Sequence, residues 1–491
     1  MSFVLKMIAF LELLFVVLLF SCSGTATESS SISGQLQEIE ETKVGKFKIE
    51  LLVNGAPNDA ARILGVFGNQ NFVVDSAKSD ATGLFVFEAD TLLHKGFYYI
   101  MLGSDNSYFQ MLLDKDQDFR LETAKGDFVN SMIVTGCLDN ELLYQNLKFE
   151  ADFTTRLQPI TAQMTGLTEG STQHTSLKSK QEVLVAERLK HIKQFELNHP
   201  ESFFTQFKLS GQNPDLTYPK KADGSLNQEA QVYQYRLAFW DMIDFNSTAT
   251  LRTPVFANKL RKYIRELTPQ NADSLIHYSD LLIGKSKTNK EIFKYVVNWI
   301  ALEYKTPKTM GTEALYVHMI DKYWTSDLAY WSNPEEIKGL RGEMSLMKPS
   351  LIGKIGQDIS ATNSKGEAIS LHGLKSPIKV LFIYSYDCEH CQKEAPEMVK
   401  VYNQWKNQGV DVFALCTDTD KTKWLEFVGK NRMAFHNAID AKRASRYDHK
   451  YHIDITPELY VLDKNNKIIA SNLSPNQLPE FLEAERARNP W

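Results

Sequence analysis

Between residue 44 and about residue 137, apolar and polar positions alternate. Phe47, Ile49 and Leu51 interleave with Lys46, Lys48 and Glu50, the period of two that turns one face of a strand towards a core. Further β-rich runs lie at 62–67, 84–87, 97–102, 108–113 and 119–121, separated by turn pairs such as Asn54-Gly55, Thr82-Gly83 and Asp105-Asn106. This spacing predicts an antiparallel β-sandwich over 44–140. From 141 to 348 the period becomes 3.6. Phe256, Leu260, Tyr263, Ile264 and Leu267 share one helix face. Ile292, Tyr295, Val296, Trp299 and Ile300 share another, behind the N-cap candidate Thr288-Asn289. A third helix is predicted over 233–245, and glycines, prolines and polar residues at 211–228 predict a long internal loop.

After 349, strand and helix patterns alternate. A lead-in hairpin turns at Lys365-Gly366, and 380–384 is a continuous apolar strand followed by a helical pattern. A second buried strand covers 410–416, and a helix opens over 423–428. A hairpin joins 459–462 to 467–470, and a helix at 478–487 closes the chain. That is an α/β sandwich over 349–491. The predicted architecture is therefore multidomain: an all-β sandwich, a mainly α-helical domain, then an α/β domain. A length of 491 residues agrees with roughly three domains at about 150 residues each. A net charge of −5 and the lack of any basic run argue against a nucleic-acid partner.

The first 22 residues form a targeting segment. Lys6 precedes an apolar stretch, 7–20, that is interrupted by Glu12 and is too short to span a bilayer comfortably. Leu19-Phe20-Ser21-Cys22 resembles a bacterial lipobox, which implies lipidation of Cys22, a membrane anchor and an extracytoplasmic mature chain. An ordinary signal peptide with an incidental cysteine is the alternative. Residues 23–43, rich in Ser, Thr and Glu, read as a flexible tether.

The chemistry concentrates where the 380–384 strand runs into Cys388-Glu389-His390-Cys391. At the start of a helix, unpaired N–H groups and the helix dipole favour an anion, so the first cysteine is stabilised as thiolate. The second, about one turn on, lies within reach of a mixed disulfide formed on the first. A zinc site would need four ligands, and there is no second cysteine pair to complete one; no metal is expected. Cys137 and Cys416 remain, and Cys416, ending an apolar strand, reads as a buried small hydrophobe. His174, His191, His199, His277 and His318 show no i, i+4 pairing. His449 and His452 are close in sequence, but a solvated loop is the plainer reading.

Ile455-Thr456-Pro457 precedes the 459–462 strand, a setting that suits a cis turn. Together with Cys388, Cys391 and Pro396, this region resembles the thioredoxin superfamily, specifically the TlpA/ResA-like envelope thiol-disulfide oxidoreductases. The resemblance implies a thioredoxin fold, a cis Thr456–Pro457 peptide that faces the dithiol and receives substrate backbone, and a kink at Pro396. It implies no cofactor beyond a redox-active disulfide, Cys388–Cys391. The preceding segments resemble the β domain and helical domain placed before such domains in lipoproteins of the Bacteroidota. The implied partners are protein thiols and disulfides and an electron donor that recharges the dithiol.

In that reading Cys388 attacks and Cys391 resolves. A protonated His390 would lower the Cys388 pKa, whereas Asp387 and Glu389 would raise it. Phe382 stands where thioredoxins place a buried acid. Family resemblance leans towards a reductase. A peroxiredoxin-type peroxidase needs a proline and a threonine ahead of its cysteine, and 383–387 offers neither. The alternative from a different class is a surface-anchored binding lipoprotein whose thioredoxin-like domain serves recognition only.

Overall fold

In the computed structural model, residues 44–214, 216–217, 219–306 and 308–491 are described. The targeting segment, the tether and Cys22 lie outside the described residues. Of these, 44–267 and 285–293 form one compact unit, and 268–284 with 294–491 form a second. Each unit takes part of the helical stretch, and Phe153, Leu157 and Leu184 form a small buried cluster of their own on its first two helices.

The first unit holds eight strands: β1 (Val44–Asn54), β2 (Ala60–Phe67), β3 (Gln70–Lys78), β4 (Leu84–Thr91), β5 (Gly96–Leu102), β6 (Tyr108–Leu113), β7 (Asp118–Ala124) and β8 (Ile133–Thr135). They form two four-stranded sheets, ordered β4-β1-β7-β8 and β3-β2-β5-β6. The alternation read at Phe47, Ile49 and Leu51 holds, since all three are buried between the sheets. Gly83 has φ +89° and a Cβ there would meet the Val53 carbonyl oxygen at 2.4 Å, so this turn requires glycine.

Three details differ from the sequence reading. The sandwich is not wholly antiparallel, because β1 and β7 pair in parallel from Lys48↔Asp118 to Asn54↔Ala124. Alternation specifies which face a residue takes, not the direction of the neighbouring strand. The strand β3 was not expected; it is an edge strand with Phe72 and Val73 exposed, so no buried face marks it. The helix expected over 233–245 instead spans Gln228–Ala238, starting from Asn227, whose side chain accepts from Ala230 N–H. The chain then turns, and Phe239 and Trp240 pack against Tyr263 from that turn.

A long helix, Leu138–Met164, docks on the sandwich through Asn140, whose amide accepts from Leu112 N–H and donates to Leu112 C=O, each at 2.8 Å. Both polar groups of one strand position are thereby satisfied in a buried setting.

The second unit includes the helices Glu313–Tyr323 and Pro334–Met347, the latter opened by a capping box between Asn333 and Glu336. Its sheet has seven strands: β9 (Ser360–Asn363), β10 (Ala368–Ser370), β11 (Ile378–Tyr384), β12 (Val410–Cys416), β13 (His436–Ile439), β14 (Glu458–Leu462) and β15 (Ile468–Ser471), ordered β10-β9-β13-β12-β11-β14-β15. All seven residues of β11 are buried. It runs parallel to β12 and antiparallel to β14. Val380, Phe382 and Tyr384 face a core shared with Cys391, Met398, Trp424 and Leu459. Leu381 and Ile383 face a second core with Tyr451 and Tyr460. A strand covered on both faces reads as an unbroken apolar run, which is why 380–384 showed no alternation.

Candidate functional site

The β11 strand ends at Tyr384, and the next four residues deliver Cys388 to the N-cap of the helix Glu389–Trp405. The antiparallel partner β14 begins at Glu458, just past Thr456–Pro457, whose peptide is cis. Cys388 and this bend, far apart in sequence, thus meet at one end of the sheet. The Cys388 Sγ donates to the Thr456 carbonyl oxygen at 3.1 Å.

The two thiols differ sharply. Cys388 is half-buried and Cys391 is fully buried. Partial burial opposes ionisation of Cys388, but the nearby Cys391 and His390 backbone N–H groups at the start of the helix, with the Thr456 and Cys391 side chains, outweigh it. Its pKa lies below the ordinary thiol value. Burial pushes Cys391 up to about 12, against a hydrogen bond at 3.4 Å from Ser385 N–H. All four described cysteines are unbridged. Cys416 is buried and also pushed up to about 12 by desolvation, and burial raises Cys137 likewise. These two are packed thiols rather than exposed nucleophiles.

Asp387, Glu389 and His390 are exposed. The backbone amide of His390 lies by Cys388, and His390 also lies near enough to Glu394 to influence it. Glu394, one turn past Cys391 and raised by burial, was not singled out from the sequence. His449 and His452 each face a carboxylate, Asp448 at 3.1 Å and Asp454 at 3.2 Å respectively. Among the described residues no three His, Cys, Asp or Glu side chains are grouped to hold a metal ion.

No acid comes from the Phe382 position, but Glu458, the residue after Pro457, is a buried carboxyl on the neighbouring strand. Its next neighbour Leu459 faces the core that holds Cys391, so Glu458 points to the opposite face of the sheet. With its amide turned to satisfy both groups, Asn472 donates to the Glu458 carboxyl. Desolvation raises Glu458 to about 8, and the charges of Asp454 and Glu313 push the same way. The unfolded chain releases this proton near 4.5, so its stabilising effect is complete below that pH and is lost as pH rises through about 8. Stability should therefore fall by a few kcal/mol between pH 5 and 8.5. Glu458→Gln should flatten that slope in denaturant melts; an unchanged slope would contradict the assignment.

This arrangement, a thiol with a lowered pKa at a helix N-cap position, a buried second thiol one turn on and a prolyl bend against the first, defines a thioredoxin-like thiol-disulfide oxidoreductase. Residues 352–471 match the AhpC/TSA family, and the C-terminal part of the chain is a thioredoxin-like domain. It is similar to the thiol-disulfide oxidoreductase ResA of Bacillus cereus, 29% identical over 132 residues, or 27% of this chain and 75% of the relative. ResA of Geobacillus kaustophilus is 24% identical over 136 residues, 27% of this chain and 77% of the relative. Among solved structures, a thioredoxin-like protein from Bacteroides caccae covers 56% of this chain and 99% of its own at 17% identity, with a TM-score of 0.45. The thioredoxin domain of a Bacteroides vulgatus thiol-disulfide oxidoreductase covers 27% and 96% at 22% identity, with a TM-score of 0.26.

Proposed function

We propose that the chain is an extracytoplasmic reductase of protein disulfides, held at a membrane through lipidated Cys22. The Cys388 thiolate attacks a partner disulfide, forming a mixed disulfide and releasing the partner's first thiolate. Cys391 then attacks Cys388 Sγ, releasing the second thiolate and closing Cys388–Cys391. The partner gains two electrons and the enzyme loses two, so an external dithiol or equivalent donor must recharge it. One observation carries this reading: the accessible thiol has the lowered pKa, and the buried one has the raised pKa. Thr456 and Pro457, beside Cys388, would receive the substrate backbone. The apolar segment before Cys22 supports the anchor and the extracytoplasmic location. No helix of the described residues is long and apolar enough to cross a membrane.

Direction is tested by equilibrating the dithiol against glutathione buffers. A potential near about −270 mV supports the reductase, and one near about −120 mV would make the chain an oxidant of its partners.

A further inference from the structure

Ser385 joins the two halves of the dithiol. Its backbone N–H donates to Cys391 Sγ at 3.4 Å and its carbonyl accepts from Cys388 N–H at 3.4 Å. What holds Ser385 in place comes from another strand. Tyr384 pairs with Cys416 in the β11–β12 register, and Thr417 N–H donates to the Tyr384 carbonyl at 3.0 Å. This brings Asp418, just past the end of β12, alongside the residues that follow Tyr384. The Ser385 hydroxyl donates to the Asp418 carboxylate, 3.0 and 3.1 Å from its two oxygens, and Tyr386 N–H donates to Oδ2 at 2.8 Å. Asp387 N–H donates in turn to Ser385 Oγ at 3.2 Å. The Cys416 thiol also donates to Asp418 Oδ2, at 3.8 Å.

The geometry points to Asp418 as a positioning residue for the resolving step, an inference that rests on the dithiol reading above. Asp418 touches neither sulfur. It fixes the Ser385–Asp387 turn so that one N–H stays aimed at Cys391 Sγ. That N–H is the strongest influence favouring the thiolate of a cysteine otherwise disfavoured by burial. The groups that favour the Cys388 thiolate are the Cys391 and His390 N–H groups at its own helix N-terminus and the Thr456 and Cys391 side chains; Asp418 touches none of them. Removing Asp418 should therefore slow resolution by Cys391 far more than attack by Cys388.

Ellman's reagent separates the two steps on the full chain. Attack by Cys388 releases one thionitrobenzoate and leaves a mixed disulfide; attack by Cys391 on Cys388 releases the second and closes the enzyme disulfide. In stopped flow, Asp418→Ala should slow the second release at least about tenfold, the effect of losing an aligned charge-assisted hydrogen-bond anchor. The first release should stay within about threefold, since the Cys388 thiolate is set elsewhere. Asp418→Asn keeps an acceptor oxygen for Ser385 and Tyr386 and should restore the second phase to within about threefold of wild type. Ser385→Ala removes only the hydroxyl arm and should slow the same phase, which keeps the test available if Asp418→Ala does not fold. Wild-type second phases in both Asp418→Ala and Ser385→Ala would overturn the inference. So would an Asp418→Asn variant as slow as Asp418→Ala. A wild type that releases no second thionitrobenzoate would overturn the dithiol reading itself, and this inference with it.

Discussion

Replacing Cys388 by serine should cut the reduction of insulin disulfides by at least about a thousandfold, because it removes the group that begins the exchange. The other described thiols cannot substitute for it. Cys391, Cys416 and Cys137 are all buried, and desolvation raises the pKa of each. Among the described cysteines, Cys388 alone combines partial exposure with a pKa below the ordinary thiol value. The nucleophile in exchange is the thiolate, so the rate follows both its population and its access. A serine hydroxyl at the same helix N-terminus would remain un-ionised near neutral pH. Equal rates for wild type and Cys388→Ser would leave the domain as a recognition module, the reading in which the chain binds partners without exchanging disulfides.

The largest stability effect is expected at Trp424. This side chain is fully buried in the helix Lys421–Lys430, and its indole N–H donates to the Tyr384 hydroxyl at 2.9 Å. Tyr384 in turn stacks on Phe382 and Phe427, with ring centroids 5.5 and 5.4 Å apart. Trp424→Ala should cost about 3–5 kcal/mol through the cavity it leaves. It also strips the buried Tyr384 hydroxyl of its donor, which adds to the cost. The loss falls beneath the dithiol, since Tyr384 is the last residue of β11 before Ser385. Denaturant melts followed by near-UV circular dichroism measure it; a change below about 1 kcal/mol would show that this core repacks freely.

What the sequence made legible was carried by local signals. The apolar run ending in Tyr384, the two cysteines and the Thr456-Pro457 pair each have a pattern that does not depend on distant partners. So does the capping of the helix that follows Asn289, whose side chain accepts from Glu291 and Ile292 N–H. Asp418 was illegible for the opposite reason. In Thr417-Asp418-Thr419-Asp420 it reads as a polar turn, and only the register of β11 on β12 brings it to Ser385. Glu458 was hidden inside an apolar strand, where one acid looks like an exposed position until the second core is seen to cover it. The main-chain amide of His390 also lies by Cys388, a contribution that any residue but proline would supply there and that its identity therefore does not signal. The parallel pairing of β1 with β7 depends on where the chain returns after β2 to β6, and no local pattern encodes that.

The most direct test is to trap the first intermediate. Cys391→Ser, incubated with an oxidised protein such as insulin, should accumulate a covalent adduct that dithiothreitol releases. Peptide mapping should place the linkage at Cys388. No adduct, or one joined through Cys137 or Cys416, would contradict the assignment of Cys388 as the attacking thiol.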